Sequence, residues 1–160
     1  MEIVKKVVLV GHFGVGKTSL VKRFVHQKFS EKYLTTIGVK IDKKEVDIGG
    51  NRVKLMLWDI AGESTALKIP QKYLSGAHGV LYVFDLSRKE TYEHIQNDLF
   101  EVNKSLDDNA CVILANKADL VEDDFVKELK DSLGVGFKTT SAKTGDNVEE
   151  AFLELAREMI

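Results

Sequence analysis

The sequence predicts an α/β fold, a three-layer sandwich of helices around a mostly parallel sheet with right-handed crossovers. Three observations predict it. Apolar runs at 3–10, 79–86 and 110–115 are continuous rather than alternating, as strands buried on both faces require. Segments of helical period lie between those runs. One stretch, 39–59, alternates with period two around Gly49-Gly50-Asn51 and adds an antiparallel strand pair.

The elements follow in order. The first run ends in Val7-Val8-Leu9-Val10, and a glycine-rich turn leads into a helix-like stretch beginning near Lys17. The hairpin carries Val39, Ile41, Val46 and Ile48 on one arm and Val53, Leu55 and Leu57 on the other. Tyr92, Ile95, Leu99, Val102 and Leu106 recur at spacings of three and four, which predicts a helix near 88–106. Phe125, Leu129 and Leu133 predict a shorter helix, opened by Glu122-Asp123-Asp124, whose negative charge suits a helix N-terminus. After a strand near 136–140 comes the last helix, with Asn147-x-x-Glu150 resembling a capping box and Val148, Phe152, Leu155 and Met159 on one stripe. The sole proline, Pro70, lies between a strand and a helix.

A chain of 160 residues, 44% hydrophobic and 30% charged, fits one domain spanning 1–160. With 23 basic against 25 acidic side chains and no long basic cluster, nucleic acid is not an expected partner. No signal-peptide core opens the chain and no apolar run approaches the ~20 residues of a membrane span, so a cytoplasmic location is expected. Cys111, the only cysteine, sits in an apolar run and reads as a small buried hydrophobe without a disulfide.

The chemistry is concentrated at strand ends, where ligands bind in such sheets. Gly11-His12-Phe13-Gly14-Val15-Gly16-Lys17-Thr18 matches GxxxxGK[ST] between strand and helix, a loop whose backbone N–H groups cradle a polyphosphate. Lys17 reaches the β/γ-phosphates and the Thr18 hydroxyl suits Mg²⁺, with Gly14, Val15, Gly16 and Ser19 completing the loop. Asp59-Ile60-Ala61-Gly62 places an Asp for the Mg²⁺ and a glycine N–H for the γ-phosphate. Asn116-Lys117-Ala118-Asp119 is more specific. The Asp119 carboxylate can accept from both N1–H and the exocyclic amine of guanine, whereas adenine presents a lone pair at N1. Ser141-Ala142-Lys143 follows the strand near 136–140 and can approach the base, and Thr36 can complete the Mg²⁺ shell and touch the γ-phosphate. Each pattern alone has a bland alternative in a polar turn; their order along the chain carries the argument.

Together these residues resemble the Ras superfamily of small GTPases over essentially all 160 positions. Thr36-Ile37-Gly38-Val39, Trp58-Asp59 and Tyr73-Leu74-Ser75-Gly76-Ala77-His78-Gly79 look most like its Rab branch. The resemblance implies a G domain of the P-loop NTPase type. Its sheet would have six strands in the order 2-3-1-4-5-6, one antiparallel, with five helices. It implies Mg²⁺ as cofactor, GTP or GDP as bound nucleotide, and Phe29 packed edge-on against the guanine. Switch regions at about 30–40 and 60–76 would meet protein effectors and regulators. Lys17, Thr36, Gly62 and the residue at Glu63 would carry catalysis. Ile41, Trp58 and Tyr73 would occupy the effector-reading aromatic positions, although Ile41 is not aromatic; for Trp58 and Tyr73, core packing and a partner surface are equal alternatives.

The sequence departs from the family pattern at three places. The water-orienting glutamine falls at Glu63, which is either repelled by the γ-phosphate or able to act as a base. A glycine of the phosphate loop falls at Phe13, whose ring would project toward the γ-phosphate. The chain reaches Ile160 without a CaaX cysteine or polybasic tail, so no lipid anchor is expected. The expected activity is slow hydrolysis of GTP to GDP and phosphate by a molecular switch. The alternative is a docking module that stays nucleotide-loaded with little or no hydrolysis.

Overall fold

A computed structural model of the chain describes residues 2–32, 36, 38–62, 69–104 and 110–160. Six strands form one sheet: β1 (Glu2–Val10), β2 (Val39–Ile48), β3 (Asn51–Ile60), β4 (Gly79–Asp85), β5 (Ala110–Asn116) and β6 (Lys138–Thr139). Their order is β2-β3-β1-β4-β5-β6, and only the β2–β3 pair is antiparallel. Five helices accompany them: α1 (Lys17–His26), α2 (Gln71–Leu74), α3 (Ile95–Lys104), α4 (Asp123–Ser132) and α5 (Val148–Glu158).

Alternation along the central strands divides the core into two layers. Val7, Leu9, Leu81 and Val83 point to one face, where Leu20 and Phe24 of α1 meet Phe152 and Leu155 of α5. The Phe24 and Phe152 rings stack at 4.2 Å and 4°. Val8, Val10, Val80, Tyr82 and Phe84 point to the other face, against Leu74, Ile95 and Val102 and the inner side of α4. The β2–β3 turn uses Gly49 and Gly50 at φ 58° and 87°, the pair of positive values that a tight hairpin needs, and Asp47 Oδ1 accepts the Gly50 N–H at 3.0 Å.

Local departures from the sequence expectation have local causes. The helix expected near 88–106 is divided: a 3₁₀ turn at Lys89–Thr91 precedes α3, and Tyr92 is buried against Phe84, 5.1 Å between rings, from outside the helix. The Thr91 hydroxyl makes the break, because it accepts the Asp85 N–H at 2.9 Å and lies 2.7 Å from the Arg88 carbonyl. Leu106 lies outside the described residues. In α4 the inward stripe runs through Val126, Leu129 and Leu133, which leaves Phe125 on the flank, 39% exposed. Asn147 does not cap α5 through its side chain; with φ at 60° its amide instead donates to the Thr139 carbonyl at 3.1 Å and ties the helix start to β6. That last strand has two residues rather than five.

Candidate functional site

A single cleft runs along the carboxyl ends of the strands, with an open volume of about 1030 Å³ that includes solvent. One end is lined by Phe13, Gly14, Gly16, Lys17, Thr18 and Ser19, and the other by Asn116, Lys117, Asp119, Ala142 and Lys143. Phe29, Thr36, Asp59 and Gly62 complete the lining. Val15 and Ser141 stay out of it: the Val15 side chain is wholly buried, and Ser141 reaches the cleft through Asp119, to whose Oδ1 its hydroxyl donates at 2.7 Å. Glu63 lies outside the described residues.

The glycine-rich loop turns back over β1, because Gly11 approaches the Val83 carbonyl so closely that a Cβ there would lie 2.3 Å from it. Gly16, at φ 104°, opens α1, and Lys17 follows buried. Its ammonium lies 3.3 Å from the Gly11 carbonyl and 3.4 Å from that of His12. Burial lowers the Lys17 pKa to about 8, against the opposing pull of the Asp59 carboxylate.

Thr18, Thr36 and Asp59 converge from α1, the segment before β2 and the end of β3. The Thr18 hydroxyl donates to Asp59 Oδ2 at 2.5 Å, and the Thr36 hydroxyl lies 2.5 Å from Thr18 Oγ1 and 3.2 Å from the same carboxylate oxygen. Asp59 Oδ1 is buried with no hydrogen-bond partner among the described residues. Burial raises the Asp59 carboxyl, while hydrogen bonds from Thr18 and Thr36 and the nearby Lys17 pull it down. Two hydroxyls and one carboxylate with an orphaned oxygen form a hard-oxygen donor set that fits Mg²⁺ as part of its shell, the rest being left to water and phosphate. Among the described residues no cluster of three His, Cys, Asp or Glu side chains exists to hold a metal alone.

The Asn116–Asp119 end of the cleft is tied directly to the glycine-rich loop. The Asn116 amide donates to the Val15 carbonyl at 3.0 Å and accepts from Thr140 Oγ1 at 3.0 Å. Lys117, held at φ 65°, donates to the Gly14 carbonyl at 3.0 Å and pairs with Asp85 at 3.0 Å. A Cβ on Gly16 would lie 2.3 Å from the Asn116 amide nitrogen, so only glycine permits this approach. Asp119 is exposed, so its carboxylate would be desolvated only by a ligand covering it. Lys143 is exposed and pairs with Glu31 at 3.2 Å.

Several contributors escaped the motif reading. Arg23 of α1 donates to the carbonyls of Ala142, at 2.8 Å, and Lys143, pinning the loop behind the Asp119 end of the cleft. Asp85 anchors Lys117 and is wholly buried; a carboxylate closing an otherwise apolar strand was its available signal. Cys111 is partly buried, and its thiol is pushed up to about 11 by burial, which makes it unreactive at neutral pH. Ile41 is 46% exposed opposite Trp58 on β3, and Trp58 and Tyr73, 6.4 Å apart, are half-buried against the second core layer. No described helix is long and apolar enough to cross a membrane. The model of the Ras family matches residues 6–160 of the chain.

Proposed function

The chain belongs to the Ras family of GTP-binding switches, and on that premise we propose that it cycles between GTP and GDP by a slow hydrolysis, with Mg²⁺ as cofactor. The observation that carries this reading is the single cleft, with a phosphate-type loop at one end and Asn116-Lys117-Ala118-Asp119 at the other, cross-linked by hydrogen bonds. In it the main chain of 14–19 and Lys17 hold the phosphates, Asp119 reads the base with Ser141, Ala142 and Lys143 behind it, and Phe29 flanks it. Thr18, Thr36 and Asp59 would hold the Mg²⁺, which when bound neutralises charge on the phosphate oxygens. The reaction is phosphoryl transfer to water, in which Lys17 supplies positive charge and the Gly62 N–H meets the γ-phosphate. Release of that phosphate frees Thr36 and Gly62, and the surfaces at 30–40 and 60–76 change for their effectors and regulators. A Rab-like partner surface around Ile41, Trp58 and Tyr73 belongs to the same reading, supported by the exposure of Ile41.

Phe13 supports the slow rate and favours the second reading, a permanently loaded docking module. It lines the cleft, 41% exposed, on the loop segment against which Gly62 packs. Bulk there displaces an attacking water or an incoming arginine, and a misplacement near 1 Å costs on the order of 10²-fold. Single-turnover GTP hydrolysis by the purified protein, with ATP as competitor for binding, tests the assignment. Slow turnover that rises in Phe13→Gly supports the switch. Tight GTP binding without turnover in either protein selects the docking module, and equal competition by ATP overturns both.

A further inference from the structure

Beneath the phosphate loop lies a buried polar cluster that the proposed reaction does not use. His12 Nε2 is 2.9 Å from Asp98 Oδ2, and the Tyr82 hydroxyl donates to the same oxygen at 2.8 Å. All three residues are buried, His12 from the loop, Tyr82 from β4 and Asp98 from α3. A buried carboxylate is costly unless its oxygens are satisfied. Burial pushes the Asp98 carboxyl up, but hydrogen bonds from His12 and Tyr82 outweigh it and hold the group below the usual carboxylate range. An ionised carboxylate only accepts, so His12 Nε2 carries the proton and donates. The imidazole of a loop residue is thus fastened to a helix on the far side of the second core layer.

The peptide that His12 begins has a second neighbour. A Cβ on Gly62 would lie 2.7 Å from both His12 C and Phe13 N, so the Gly62 backbone rests directly on the His12–Phe13 peptide. The Phe13 carbonyl, in the next peptide unit, is held by Arg88 Nη1 at 3.0 Å. The His12–Phe13 peptide thus lies between the His12 imidazole, fastened to α3, and a following peptide held from the segment after β4. Its own carbonyl lies 3.4 Å from the Lys17 ammonium, and it supports the glycine that meets the γ-phosphate in the proposed reaction.

We propose that His12, fastened by Asp98 and Tyr82, is a positioning residue that sets the His12–Phe13 peptide as the seat for Gly62, and so couples α3 to the triphosphate-bound state. This rests on the GTP-switch reading. The role is selective: the seat matters when Gly62 engages a γ-phosphate and matters little when only a diphosphate is present.

The test compares dissociation constants for GDP and for a non-hydrolysable GTP analogue, with Mg²⁺, in the wild type and in His12→Ala, Asp98→Asn, the double variant and His12→Gln. His12→Ala and Asp98→Asn should each weaken the analogue about tenfold relative to GDP, the scale of one lost charge-assisted hydrogen bond. The double variant should add little to either single change, because one substitution removes the His12–Asp98 contact and the other strips the same contact of its charge. His12→Gln, whose amide nitrogen reaches Asp98 in place of Nε2, should restore the wild-type ratio. A merely structural role would lower melting temperature and weaken both nucleotides alike, and that result overturns the proposal, as do additive losses or failure of the glutamine rescue. If Asp98→Asn does not fold, the comparison of His12→Ala with His12→Gln decides alone, since the two differ in whether the buried Asp98 carboxylate keeps a donor from the loop. A wild type that binds neither nucleotide overturns the GTP-switch reading, and this proposal with it; a wild type that binds both while the variants keep its ratio overturns this proposal only.

Discussion

In the proposed switch Asp119 would decide base choice with one carboxylate, and its exposure matters to how it would do so. In the structure Oδ1 already accepts from Ser141 at 2.7 Å, which orients the group before any ligand arrives. A guanine covering the carboxylate desolvates it and supplies two donors, whereas an adenine desolvates it and supplies a lone pair. Asp119→Asn should therefore weaken GDP by at least about 10²-fold and favour xanthosine diphosphate, whose C2 carbonyl accepts from the new amide. Competition binding with the two diphosphates checks this, and an unchanged order of preference sinks it. That residues of this kind line one cleft was legible in the sequence, because each motif gathers its polar groups within a few positions at a strand end. His12 was not, since its partner Asp98 is 86 positions away, and neither was the Asn147 side chain, because the N-x-x-E spacing does not reveal a left-handed backbone at its first residue.

At the scale of elements, continuity and period sufficed for the strands and failed where a single hydroxyl intervened. The runs at 3–10, 79–86 and 110–115 became β1, β4 and β5 with ends shifted by a residue, because β4 is buried throughout and β1 and β5 are buried toward their carboxyl ends, where apolar side chains are required. The helix near 88–106 begins only at Ile95, because the Thr91 hydroxyl competes for backbone groups that a helix would use. On the first face of the sheet α1 meets α5 through the Phe24–Phe152 stack at 4.2 Å. Phe152→Ala removes a fully buried ring from that seam and should cost about 3–5 kcal/mol. Urea unfolding monitored by circular dichroism measures it; a loss within error of zero would show that α5 is held from elsewhere.

Across the whole molecule, the second core layer carries an electrostatic dependence centred on Asp98. Asp98 is faced by His12 from the phosphate loop, Tyr82 from β4 and His94 just before α3, and its carboxyl is held below its ordinary value once burial is offset. The stability it contributes is therefore complete above the unfolded carboxyl range and is lost as pH falls through the folded value. The wild type should lose stability below about pH 4, and Asp98→Asn, weaker at neutral pH, should show a flatter decline over that window. Urea midpoints across the acid range test this, and parallel declines would place the acid sensitivity in other carboxylates. One last consequence comes from the Asn116 amide on the Val15 carbonyl, and the Lys117 ammonium on that of Gly14. The two ends of the cleft behave as one mechanical part. Inorganic pyrophosphate has no base to be read, yet Asn116→Ala should loosen its grip too, because the loop that cradles it is braced from the base side. An agent that evicts nucleotide by prying at either end would then unlatch the other without touching it.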